Sequence, residues 1–156
     1  MPNIFEPEFD QPREQPGFEC RRARIGRQTG SERLGASLWE IPPGQAAYPY
    51  HFHLAEEELL FVLAGRPSLR TPGGWRELEP GEAVAFLVGE GGAHQIVNRS
   101  EEPVRMLVVS LNGVPEICIY PDSDKVGVYG EGLRELHRRS EAVDYYEGEQ
   151  GPPTES

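Results

Sequence analysis

The apolar residues of this 156-residue chain fall in short runs, each ended by proline or glycine, and that spacing leaves room for little but strands. The runs cover residues 34–41, 59–63, 83–88, 96–97, 104–111 and 117–120, and several alternate. Pro42-Pro43-Gly44, Pro72-Gly73-Gly74 and Pro80-Gly81 stand between them. Such pairs fix or free φ where a chain must reverse, so they mark turns. The pattern reads as an all-β protein of one domain, with enough chain for two layers of sheet around a single core. One short helix is expected, near residues 133–139. Neither a solenoid-length repeat nor a coiled-coil heptad is present.

Within that frame, residues 44–65 read GQAAYPYHFHLAEEELLFVLAG. Strand side chains alternate faces, so His51 and His53 should present both imidazoles on one side. Glu58 opens the next apolar run after a short polar turn, and a hairpin there would fold its carboxylate opposite the imidazoles. A third imidazole, His94, follows some way along the chain. Two or three imidazoles with one carboxylate make a mixed nitrogen and oxygen site suited to iron, manganese, nickel, zinc or copper. Glu56 and Glu57 are competing carboxylates that read as solvated turn residues. His137, among Glu135, Arg138 and Arg139, reads as surface.

With these residues in place the chain resembles the cupins, the small barrels built around a mononuclear metal. The family's first motif corresponds to Gly44, His51, His53, Glu58 and Gly65, and its second to Gly81, Gly89, His94 and Asn98. Three departures stand out: the gap from Gly44 to His51 is one residue longer than usual, Leu87 replaces a proline, and the loop before His94 is two residues longer. The H-x-x-x-N ending is intact. The resemblance implies a double-stranded β-helix (jelly-roll) barrel over residues 20–130, after an acidic arm at 1–19 and before a helix and acidic tail at 131–156. It implies His51, His53, Glu58 and His94 as metal ligands. Tyr48, Tyr50, Phe86 and Gln95 lie near the motifs and are candidates to line a substrate pocket. Tyr120-Pro121-Asp122-Ser123 is similar to a segment of small single-domain bacterial cupins, a subgroup that implies no substrate.

Charge narrows the partners. Of the formal net charge of −11, residues 1–19 and 141–156 carry −9. An acidic chain without a basic stripe is a poor binder of nucleic acid or anionic membrane. Arg21-Arg22-x-Arg24 is too short to change that and reads as a solvated strand face. No apolar stretch is long enough to cross a bilayer, and the N-terminus lacks a secretion signal, so a cytoplasmic protein is expected. Cys20 and Cys118 then read as reduced thiols with no catalytic surroundings. Gly89-x-Gly91-Gly92 precedes a strand and not a helix, so it offers no phosphate cradle. Residues 148–156 should be disordered. Residues 18–26 alternate and could add to a neighbour's sheet, with Tyr145 and Tyr146 packing beside them, which suggests a homodimer.

Four protein ligands would leave two positions open on an octahedral ion, enough for Lewis-acid, hydroxide or oxygen chemistry. No catalytic residue beyond the ligands can be named. The functional expectation is a metal-dependent enzyme on a small polar metabolite, an oxygenase or a sugar isomerase. A non-catalytic metal or small-molecule binder is the alternative, and a structural module with a rigidifying ion is the third reading.

Overall fold

Every apolar run of the sequence becomes a strand in the computed structural model, which describes residues 1–111, 113 and 115–151. The chain starts with β1 (Gln11–Arg13), β2 (Cys20–Ala23), a short helix α1 (Ile25–Thr29) and β3 (Leu34–Ile41). The middle holds β4 (Phe52–His53), β5 (Glu58–Ala64), β6 (Ser68–Thr71), β7 (Gly74–Glu77), β8 (Ala83–Phe86) and β9 (Gln95–Val97). Then come β10 (Val104–Leu111), β11 (Glu116–Tyr120), β12 (Lys125–Gly130) and β13 (Leu133–Arg138). Residues 152–156 of the expected disordered tail lie outside the described residues.

Three sheets form, in the orders β1-β2-β3-β10-β5-β8, β13-β12-β11-β4 and β7-β6-β9. The alternation along β10 buries Val104, Met106 and Val108, which pack with Leu60 and Val62 of β5. Leu69 of β6 and Ile96 of β9 join the same cluster, so the six-stranded and three-stranded sheets face each other across it. Tyr50, Phe52, Ala93 and Ile119 form a second cluster under the four-stranded sheet. Isolated bridges Ala46↔Val97 and His51↔His94 stitch the two smaller sheets together at a seam. That seam carries the histidines.

Two expectations about elements are corrected. Residues 133–138 form β13 and not a helix; the only helical geometry nearby is the 3-10 turn Arg139–Glu141. The two-residue link Glu131-Gly132, with Gly132 at φ +74°, reverses β12 onto β13 as a hairpin. That pairing overrides the helix-forming Leu, Arg and Glu of the segment. Residues 58–64 do not fold back beside 52–53 either: β4 pairs with β11, whereas β5 lies between β10 and β8. The polar link between them carries the chain from one layer to the other. The helix α1 was not foreseen; its Gly26 sits where a Cβ would come within 2.9 Å of β3 backbone atoms.

Residues 18–26, expected to reach a neighbour's sheet, are engaged in their own. Arg21 lies opposite Glu40 and Ala23 opposite Leu38, and β1 covers the outer edge of β2.

Candidate functional site: a histidine and glutamate cluster beside two arginines

His51 and His94 face each other across the seam. The backbone N–H of His94 donates to the His51 carbonyl at 2.9 Å, and that of His51 to the His94 carbonyl at 3.2 Å. Each ring is then fixed by its own backbone. His51 Nδ1–H donates to the Pro49 carbonyl and His94 Nδ1–H to the Gly92 carbonyl, both at 2.9 Å. A carbonyl only accepts, so both rings are Nδ1–H tautomers with the Nε2 lone pair turned inward.

His53, on β4, sends Nε2 to within 3.1 Å of His51 Nε2, the same-side placement that strand alternation requires. Glu58, at the start of β5, reaches in from the opposite layer. Its Oε2 lies 3.4 Å from His53 Nε2 and 3.2 Å from His94 Nε2. The second approach is not aligned as a hydrogen bond, so the buried His94 Nε2 has no hydrogen-bond partner. Donor atoms of His51, His53 and Glu58 all lie within 4.8 Å of one another. His94 completes the group through Glu58 and through its ring contact with His51 at 4.8 Å between centroids.

Aromatic rings wall the cluster. Phe86 stacks on His94 at 3.6 Å, and Tyr48 stands edge-on to His51 and His94. A cavity of about 300 Å³ opens beside the cluster, lined in part by His51, His53, Glu58 and Tyr48. Of the four residues expected to line a substrate pocket, Tyr48 is in the lining of this cavity. Tyr50 sits in the second apolar cluster under Arg70, Phe86 supports the back of His94, and Gln95 donates its amide to the Tyr48 carbonyl. His137 is on the surface beside Glu135.

Charge is strongly coupled here. Burial, then His94 and His53, lower His51 to about 3, so it is neutral at physiological pH. Burial alone would lower His53 too, but Cys118 and Glu58 outweigh it and raise it to about 11. Burial opposes the charge of Glu58, yet protonated His53 beside it holds its carboxyl well below the usual carboxylate range. Without a metal, a proton on His53 supplies the positive charge that the cluster demands.

The other side of His53 holds residues that the sequence did not single out. Its Nδ1 lies 3.4 Å from Glu116 Oε1 and 3.4 Å from Cys118 Sγ. Glu116 is buried; Oε1 accepts the Leu54 N–H at 3.1 Å, and Oε2 is unpartnered. The surroundings of Cys118 are therefore those of a histidine and a carboxylate, contrary to the expectation of an isolated thiol. Alternation along β11 puts Glu116, Cys118 and Tyr120 on one face, a pattern open to inspection in the sequence. Glu56 is corrected as well. It is half-buried, lines the cavity, and is pushed up to about 7 by burial and by Glu116 and Glu58. A carboxyl so placed can exchange a proton near neutrality. Arg22 points inward into the same cavity, with Arg13 beside it, and only Arg21 and Arg24 of that cluster pair outward, with Glu40 and Asp10.

Residues 37–110 match the family model of the cupin domain. Among solved structures, a protein of Acidithiobacillus ferrooxidans provisionally named a sugar phosphate isomerase is 27% identical, with a TM-score of 0.77 over 83% of this chain and 82% of its own. A sugar phosphate isomerase of Silicibacter pomeroyi from the cupin superfamily aligns over 94% of this chain and 98% of its own, with a TM-score of 0.81; at 24% identity it bears on the fold. A polyketide cyclase of Streptomyces resistomycificus is 27% identical over 73% of this chain and 80% of its own, with a TM-score of 0.61. No curated protein matches the chain.

Proposed function

We propose that the chain, whose residues 37–110 match the cupin domain, is a cupin that binds a divalent transition metal through His51, His53, Glu58 and His94 and acts on a small polar metabolite. The observation that carries the proposal is the buried, unpartnered Nε2 of His94, aimed with the His51 and His53 nitrogens at one carboxylate. Buried polar atoms are nearly always satisfied, and a cation among these lone pairs is what would satisfy them. We take the two packed layers as the family's double-stranded β-helix.

When bound, such an ion supplies Lewis-acid polarisation of an oxygen on the metabolite or on water. The chain's own residues do the rest. Pro49 and Gly92 hold two imidazoles in the ligating tautomer, and Glu116 and Cys118 orient the third, as carboxylates behind metal-bound histidines do. Phe86 and Tyr48 keep water from the backs of the rings. Glu56 sits in the cavity as the group that can take or give a proton. The 27% identity to a protein named for sugar phosphate isomerisation favours an isomerase over an oxygenase.

The reading includes a cytoplasmic homodimer without nucleic-acid or membrane partners. Both cysteines are free, and no helix among the described residues is long and apolar enough to cross a membrane. Elemental analysis of protein purified without an affinity tag tests the metal, and metal-loaded protein incubated with aldose and ketose phosphates, followed by proton NMR, tests the reaction. Stoichiometric metal with interconversion of a sugar pair supports the enzyme. Stoichiometric metal with no turnover leaves the non-catalytic binder, and absence of metal overturns the proposal.

A further inference from the structure

The cavity beside the metal cluster has a second polar wall. Arg22 on β2 shares the inward face with Cys20 and packs its guanidinium over Trp39, 4.9 Å from the ring centroid. Arg13 on β1 approaches the same ring at 5.4 Å. Trp39 meets Tyr48 edge-on at 5.8 Å, and Tyr48 meets His51 at 5.0 Å. Two cations thus stand one aromatic layer away from the imidazoles, lining one cavity of about 300 Å³ with them.

Among the described residues, neither cation has a counter-ion in direct contact. Arg22 donates Nε–H and Nη2–H to Ser37 Oγ at 2.9 and 2.6 Å and Nη1–H to Gln11 Oε1 at 3.3 Å. Arg13 donates Nη1–H to the Ala47 carbonyl at 2.6 Å. Those acceptors are neutral. Among the described residues, no carboxylate lies within ion-pair distance of either guanidinium, whereas their neighbours Arg21 and Arg24 are both paired. Burial and the charges of Arg13 and Arg24 disfavour the cationic form of Arg22, and the more distant Glu58 and Asp10 offset them only in part. Two like charges held together in a half-buried site, with donors to spare, are a costly arrangement unless an anion joins them.

We infer that Arg13 and Arg22 form an oxyanion subsite, so that the metabolite carries a phosphate or carboxylate held there while its other end reaches the metal cluster. This rests on the reading of the cavity as the substrate site. It also fits the local charge: Arg13 and Arg22 stand at one end of a cavity whose carboxyls are Glu58 and Glu56, the latter pushed up to about 7, so its arginine end is cationic within a chain of net charge −11. A guanidinium fork matches the geometry of either oxyanion, and its neutral neighbours Ser37 and Gln11 orient it without neutralising it.

The test uses full-length, metal-free protein, so that no anion can bind through the metal. Methyl phosphate and acetate are titrated separately by calorimetry, which distinguishes the two sources of oxyanion. At least one should saturate, and Arg22→Met and Arg13→Met should each weaken it about tenfold or more, as loss of a charge-assisted pair does. Arg21→Met, outside the cavity, should bind as wild type. Should Arg22→Met fail to fold by circular dichroism, Arg22→Lys carries the same test, because it keeps the charge and loses the fork. Saturation by neither anion, or undiminished binding in the cavity variants, overturns the inference. Metal content of wild type and Arg22→Met, measured in parallel, reports on the ligand set alone: it should be equal, and a metal-free wild type would overturn the metal reading without touching the anion result.

Discussion

His53 is the residue through which the whole cluster is charged, since it lies within 3.4 Å of His51, Glu58, Glu116 and Cys118. Its raised proton affinity has a definite sign. Metal-free protein holds that proton throughout the neutral range, and a ligating imidazole cannot keep it on the ligating nitrogen. Metal uptake at neutral pH should therefore release about one proton, read by calorimetry in two buffers of different ionisation enthalpy. Zero release would contradict ligation by His53. The same shift makes the metal-free fold lose stability as pH rises from the unfolded histidine value of about 6.5 through about 11, a loss visible in thermal melts. In the other direction, acid should strip the metal progressively, since each unit of pH lost favours that His53 proton over the ion, and His51 takes a proton as well only near about 3. His53→Ala should lose most of its metal while His137→Ala keeps it; equal occupancy in the two would sink the ligand assignment. Of the four proposed ligands, strand alternation made His51 and His53 legible in the sequence, whereas Glu58 and His94 rested on the resemblance, since the hairpin expected to carry Glu58 across does not form. Arg13, Arg22, Glu116 and Cys118 were not legible, because their positions depend on which distant strands pair.

Among the elements, the link from β8 to β9 decides where His94 sits. Residues 87–92 turn tightly, with the Gly89 N–H donating to the His53 carbonyl at 2.7 Å and the 3-10 turn Glu90–Gly92 closing the loop. A Cβ on Gly92 would overlap the Leu87 carbonyl oxygen, and the Gly92 carbonyl is the acceptor that fixes the His94 tautomer. Gly92→Ala should thus cost about 1–3 kcal/mol of stability by forcing backbone apart, and lower metal affinity with it. Thermal melting and metal content measure both, and a variant matching wild type in each would refute the loop's role. This loop is also where the sequence departs from the family motif, with Leu87 in place of proline and two added residues, yet His94 still reaches the cluster. The strands were legible because apolar runs and turn formers bound them. The segment 133–138 was misread because its residues are good helix formers on a fully exposed strand, where no buried face imposes a period of two.

At the scale of the molecule, charge and surface apolarity pull against each other in the proposed dimer. Two chains of −11 repel, and the acidic ends at residues 1–19 and 141–156 carry most of that charge. A pairing surface must therefore be apolar and set away from those ends. The end of the β3–β10 pair is the candidate: Leu34 and Leu111 lie opposite each other there, both more than half exposed. The strand-addition route is less available, since residues 18–26 already pair with β3. The repulsion is long-ranged and the apolar contact is not, so salt should separate the two. Raising ionic strength shortens the Debye length from about 8 Å at physiological salt to about 3 Å at 1 M, which weakens the repulsion and leaves apolar burial intact. Sedimentation equilibrium at about tens of micromolar should then give twice the 17.4 kDa chain mass, with dissociation more evident at low salt than at high. Leu111→Glu should shift the equilibrium towards monomer by placing a charge on the apolar contact. A 17.4 kDa species at every salt concentration refutes the dimer, and a dimer indifferent to Leu111→Glu moves the interface elsewhere on the molecule.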